Sequence, residues 1–186
     1  MRIRYAFAGA LTAGLALITA ATPANAQSTV SGQSTANGPS TAKGLTWEPY
    51  RTQPFTSPAG QSCAFPLKGE PVHDEEQIAT LATFPDGTPK KQVIKGDLRV
   101  RYTNLDTGAA VEKDLNGVGY LEYETTGAST FHLFGPAAVG FRPTDPYPPG
   151  FYALDGYHVI YTAPGRAFRE MKVDAGTEHN ICTDID

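Results

Sequence analysis

The sequence predicts an all-β domain: an antiparallel meander that closes into a barrel or splits into a two-sheet sandwich, tied by one disulfide. Three observations carry this. From residue 60 onward the glycines fall at 60, 69, 87, 96, 108, 117, 119, 127, 135, 140, 150, 156, 165 and 176, many of them 8 to 12 positions apart. That is the spacing of short strands joined by turns. The runs between them are rich in Val, Tyr, Phe, Thr and Ile, which suit a pleated, half-buried surface. No 11-residue window repeats apolar residues with a helical period, so helix is a minor component.

Taken in order, residues 1–26 read as a secretory signal peptide. Arg2 and Arg4 form a basic start, residues 5–21 are rich in Ala, Leu and Gly, and Ala24-Asn25-Ala26 offers a small-x-small cleavage site. The apolar run is shorter than the roughly 20 residues of a spanning helix, and Gly9, Thr12, Gly14 and Thr19 dilute it. Residues 27–45 read as a Ser/Thr/Gly-rich disordered linker: Gln-Ser-Thr recurs at Gln27 and Gln33, and Val30 is nearly alone as a large aliphatic residue. Such a stretch buries too little apolar surface to offset the entropy of ordering it. The competing reading is an O-glycosylated stalk. The folded domain is then expected over residues 46–186, secreted or held at the cell surface.

Within it, strands are expected at 77–84, 89–95, 97–104, 110–115, 118–124, 130–134, 151–161 and 166–173. Pro85-Asp86-Gly87, Asn116-Gly117, Thr126-Gly127 and Pro164-Gly165 supply turn chemistry between them. The stretch 143–150 holds Pro143, Pro146, Pro148 and Pro149 and cannot supply ladder donors there, so it is expected as an ordered loop or edge cover. One hairpin can be set in register. Pairing Thr103 with Ala110 puts Arg101 opposite Glu112 and Arg99 opposite Asp114, while Tyr102 meets Val111 and Leu98 meets Leu115 on the other face. A slip of two residues sets Asp97 against Asp114, which is repulsive. The two arginines are therefore expected to be spent on an ion-pair ladder rather than on an anion site.

Charge excludes some partners. The chain carries 15 Lys/Arg against 19 Asp/Glu. Loss of the signal peptide takes two of those bases and no acid, which moves the net charge from −4 to −6. A chain this acidic lacks the basic surface that drives nucleic-acid binding. Cys63 and Cys182 are the only cysteines, 119 positions apart. In an exported chain they are expected to form a disulfide, and the chain-entropy argument assigns it on the order of 4–5 kcal/mol.

Catalytic motifs fail one by one. Asp106-Thr107-Gly108 matches the aspartic-protease loop, but there is one such triplet where two aspartates must share a proton, and these are ordinary turn residues. His73-Asp74-Glu75-Glu76 lacks the spaced ligands of a calcium loop, and no metal or cofactor is called for. No Gly-x-Ser-x-Gly, phosphate loop or His-Glu-x-x-His occurs. His132 and His158 fall mid-strand and are read as structural. The enzymatic alternative is a hydrolase or isomerase using a barrel cavity, with His132, His158 and nearby Asp155 or Glu170 as acid/base groups. Pairing Ile160 with Phe168 would set His158 and Glu170 on one face.

Aromatic residues remain. Tyr147, Phe151 and Tyr152 flank the Pro-Pro-Gly turn, with Trp47 and Tyr50 ahead of the first strands. Rings on loops beside a rigid sheet commonly bind sugars, peptides or lipids. The favoured function is thus a non-catalytic exported β-domain that binds a small molecule, glycan or protein, or shapes the cell surface. Tyr147, Phe151 and Tyr152 are its candidate ligand-binding anchors. Cys63-Ala-Phe-Pro66, Thr83-Phe-Pro-Asp-Gly-Thr88 and Tyr102-Thr-Asn-Leu-Asp-Thr-Gly108 together resemble an uncharacterised family of small exported proteins from actinomycete-type bacteria. The resemblance spans about Cys63 to Cys182; it implies export and an all-β domain and assigns no catalytic residue.

Overall fold

A computed structural model describes residues 44–186. The expected signal peptide and nearly all of the expected linker lie outside these residues. The described chain folds into two antiparallel sheets with almost no helix, a sandwich rather than a closed barrel. Twelve strands follow in order: β1 (Glu48–Pro49), β2 (Phe55–Ser57), β3 (Leu67–Asp74), β4 (Gln77–Thr83), β5 (Pro89–Lys95) and β6 (Leu98–Asn104). Then come β7 (Ala110–Asp114), β8 (Val118–Tyr123), β9 (Ser129–Phe134), β10 (Ala137–Phe141), β11 (Gly150–Thr162) and β12 (Arg169–Asn180). The first sheet runs β1-β4-β5-β8-β9-β11, with β10 and β12 both on β11; the second runs β2-β3-β6-β7. Among the described residues no helix is long and apolar enough to cross a membrane.

The β6–β7 hairpin has the register that charge selects. Arg99 pairs with Asp114 and Arg101 with Glu112, and their ion pairs close at 2.8 and 2.7 Å. Its turn is held by the side chains of the Asp-Thr-Gly region: Asp106 N donates to Asn104 Oδ1 at 2.9 Å and Ala109 N to Thr107 Oγ1 at 3.2 Å. Two expectations need correction. The Asn116-Gly117 connection is not a hairpin turn: β7 and β8 belong to different sheets, and Gly117 keeps an ordinary φ. The chain crosses between layers there, so the meander is interrupted. Secondly, Ile160 pairs with Met171, not Phe168, because the β11–β12 turn is closed by Ala163 N donating to Phe168 O at 3.0 Å, which sets Phe168 opposite Ala163; a bulge between Val159 and Ile160 then leaves Lys172 unpaired. Glu170 therefore sits opposite Tyr161, on the face away from His158, while Asp174 sits opposite His158.

Four strands are additions to the expected set: β1, β2, β3 and β10. Residues 142–149, the proline-rich stretch, form an ordered loop between β10 and β11.

Core packing falls into two clusters. One gathers Leu67, Leu98, Val100 and Tyr102 from the second sheet with Phe65, Ile181 and Ile185. Cys63 and Cys182 are bonded beside it, with Cα atoms 5.5 Å apart, and the buried Asn104 Nδ2 donates to Ile185 O at 2.9 Å. The C-terminal 3-10 turn is thereby pinned under the second sheet. The other cluster, Leu133, Phe141, Leu154 and Ile160, belongs to the first sheet. Where the two clusters separate, the layers stand apart.

Candidate functional site

The gap between the layers is a cleft with two adjoining chambers. One has a volume of about 230 Å³ and the other about 500 Å³. Phe55, Phe131, Leu133, Ala138 and Phe151 line both, so the chambers share a wall. Small-molecule sites commonly occupy about 300–1,000 Å³ with mostly apolar walls and a few placed polar groups. Strand alternation builds this wall. Ile94, Gly119 and Leu133 lie in one cross-strand row of the first sheet, Leu121 and Phe131 in the next, all facing the second sheet. Val100 and Tyr102 face them from β6. Glycine makes room for the rings at two places: a Cβ on Gly69 would stand 2.3 Å from the Phe55 ring, and one on Gly119 2.3 Å from the Phe131 ring.

The two ends of the cleft differ in charge. The smaller chamber opens past Tyr50, Thr52 and Glu76. The buried Glu76 carboxylate accepts from Thr52 Oγ1 at 2.6 Å. Burial pushes its pKa up; the Thr52 hydroxyl opposes this, the Asp74 charge adds to it, and Arg51 opposes it. Burial likewise pushes up the pKa of Tyr102, which has little exposed surface. The larger chamber ends in Arg142, Arg166 and Arg169, with Ser57, Ser129 and Thr162 beside them and no carboxylate among its lining residues.

A single acid organises those arginines from behind. The Asp145 side chain has no exposed surface and receives Arg142 N at 2.6 Å, Arg142 Nη2 at 3.0 Å and Arg169 N at 2.9 Å. Burial alone would raise its pKa, but the hydrogen bonds from Arg142 and Arg169 and the Arg142 charge bring it below the ordinary carboxylate value. Arg142 Nη2 also donates to Arg166 O and Ala167 O, at 2.9 and 3.2 Å. That clamp holds the Pro164–Arg166 turn, in which Arg166 has φ +58°, the only positive φ of a non-glycine among the described residues. Arg169 Nη1 donates to Gly140 O at 2.7 Å. Burial lowers the Arg169 pKa; Asp145 works against that and the charges of Arg142 and Arg166 reinforce it.

The sequence-derived anchors divide. Phe151 lines both chambers and lies 5.4 Å from Phe55 and 5.1 Å from Tyr102, centroid to centroid. Tyr147 and Tyr152 pack together at 5.5 Å and both against Phe141, at 4.4 and 6.1 Å. Successive residues of a strand point to opposite faces, which separates Tyr152 from Phe151. Trp47 lies under the Lys95 ammonium, 4.2 Å from the ring centroid.

The histidines do not converge. His132 pairs with Val159, so it and His158 lie on opposite faces of the first sheet. His132 Nδ1 is 3.0 Å from the Tyr157 hydroxyl, beside the exposed Tyr120 and Phe134 rings. His158 is fully buried; its Nδ1 is 3.2 Å from Asp174 Oδ1 without hydrogen-bond geometry, and its Nε2 is 3.4 Å from Asp155 O. Neither lines either chamber. Glu170 pairs with Lys172 at 2.6 Å. His73, Glu75 and Asp97 can bring ligand atoms within 4.8 Å of one another, but all three are exposed, while Asp74 and Glu76 turn to Thr52.

The arginines were missed in the sequence because Arg142 stands 24 positions before Arg166, and only the pairing of β10 and β12 with β11 brings the loop after β10 to the β11–β12 turn. The signal that existed was local: Arg166 follows Pro164-Gly165 in a hairpin turn, where a cation projects beside a sheet end. No protein-family model matches the chain, and neither a curated protein nor a solved structure does.

Proposed function

We propose that the chain is an exported, non-catalytic binding domain that holds an apolar small molecule between its two sheets. The cleft carries this reading. Its two chambers adjoin along a wall of Phe55, Phe131, Leu133, Ala138 and Phe151, and each also has polar groups in its lining. Of the aromatic anchors, Phe151 stands on the ligand path; Tyr147 and Tyr152 fix the proline-rich loop next to it, with Tyr152 Oη donating to Pro148 O at 3.3 Å. Export rests on the basic, apolar and small-x-small order of residues 1–26. The hydrolase reading needs two groups within hydrogen-bond reach of one substrate, and His132 and His158 face away from each other.

The experiment is titration with N-phenyl-1-naphthylamine, a neutral probe that fluoresces in apolar surroundings. It is expected to bind at one site per chain. Ala138→Phe, which adds a ring to the wall shared by both chambers, is expected to abolish that signal while the far-ultraviolet circular dichroism stays unchanged. No saturable signal, or an undiminished one in the variant, refutes the reading.

A further inference from the structure

We infer that the cleft selects a single-chain amphiphile with an anionic head, the head seated at Arg166 and Arg169 and the chain running inward past Phe131 and Phe151. This rests on the cleft being the binding site, and adds the class and direction of the ligand. Charge complementarity carries it. The chain as a whole bears a net charge of −4, yet the larger chamber collects three arginines and no carboxylate among its lining residues. One of the three is accounted for: Arg142 is engaged by Asp145 and by the carbonyls of Arg166 and Ala167. Among the described residues Arg166 makes no ion pair, and Arg169 spends Nη1 on Gly140 O and forms no ion pair of its own. Two guanidinium groups are thus left to a ligand at a mouth already furnished with Ser57, Ser129 and Thr162. Guanidinium forks match carboxylate and phosphate oxygens with two parallel hydrogen bonds.

The backbone supports the same assignment. A non-glycine residue in the left-handed region carries a conformational cost and persists only where its surroundings impose it. Here the imposing contact is Arg142, buttressed by the buried Asp145, which clamps the turn and thereby places Arg166 at the mouth. Arg142 and Asp145 are positioning residues; Arg166 and Arg169 are the ligand-facing ones. The smaller chamber has Glu76 and no Lys or Arg among its lining residues, so it offers an anionic head no cationic partner, and this sets the direction of entry.

The test displaces bound N-phenyl-1-naphthylamine at pH 7.5 with four ten-carbon competitors: decanoate, decyl phosphate, decanol and decyltrimethylammonium. Decanoate or decyl phosphate is expected to compete at least tenfold more strongly than decanol, and the cation least. The stronger of the two anions names the head group. Arg166→Gln, on an exposed turn, is expected to cut the anion preference about tenfold while leaving decanol unchanged, and Arg169→Gln to do the same. Equal competition by decanoate, decyl phosphate and decanol, or a preference that survives both substitutions, overturns the inference while leaving the cleft as the binding site. Absence of probe binding in the unaltered protein removes the site itself.

Discussion

Replacing Asp145 by Asn tests how the basic end of the cleft is held. The carboxylate has no exposed surface; Oδ2 accepts from Arg142 N at 2.6 Å, and Oδ1 from Arg142 Nη2 at 3.0 Å and Arg169 N at 2.9 Å. Asn keeps the shape but turns one acceptor into a donor. Whichever way the amide is set, one main-chain N–H then faces an NH2 group and goes unpaired, at about 1–3 kcal/mol. Removing one partner of a buried ion pair costs about 3–5 kcal/mol. The Arg142 side chain is 29% exposed and recovers part of its hydration, which places the total near 3 kcal/mol. For a domain of this size that is a fall in Tm of roughly 10 °C. Urea unfolding at 25 °C, followed by circular dichroism near 218 nm, should show a lower midpoint with an unchanged slope.

The acid limb supplies a second reading of the same substitution. Because the folded-state pKa of Asp145 lies below its ordinary value of 3.8, the stability it contributes is present above that value and is lost as pH falls through the folded one. The variant should lose less stability than the unaltered protein between pH 4.5 and 2. A destabilisation under about 1 kcal/mol at pH 7 would show that water or other groups satisfy these donors, and the account of the arginine clamp would be refuted.

Two further expectations concern the frame. Reducing the Cys63–Cys182 bridge, which closes a loop of 119 positions, should lower stability by about 5 kcal/mol on the chain-entropy argument; denatured, unreduced protein should show no titratable thiol, and a melting curve unmoved by reductant would contradict the role given to the bridge. Glu76→Gln keeps an acceptor for Thr52. The folded pKa of Glu76 lies above its ordinary value, so its contribution is present below the unfolded value and lost as pH rises through the folded one. The variant should therefore be at least as stable as the unaltered protein at pH 7, with the gap closing toward pH 4, and a variant clearly weaker at pH 7 would reverse the sign argued here.

The parts of this molecule legible in its sequence are those whose physics is local or countable. Strands such as β5 and β6 alternate within themselves, and the turns at Gly87, Gly127 and Gly165 adopt the positive φ that glycine allows. Opposite charges spaced two apart selected the β6–β7 register, and two cysteines admit one pairing. What stayed hidden depends on neighbours far along the chain. β3 contains Gly69 and Pro71 and has little strand propensity of its own; it exists because β2 and β6 offer ladders on both sides. The segment Ala137–Phe141 is small and apolar, and becomes a strand only against the N-terminal half of β11. The acidic, glycine-bearing tail of β12 extends to Asn180 because β11 is long enough to pair it. The crossing at Gly117 likewise needs the second sheet in place, since local turn chemistry is the same for a hairpin and a layer change. The cleft and its arginines belong wholly to this second category. Arg142, Arg166 and Arg169 meet because a sheet fork, the β11–β12 turn and one buried aspartate bring three separate elements to the same mouth. Ladder pairing and burial are set by partners across the fold, and a linear sequence records the propensity of each segment but not which segment will stand opposite it.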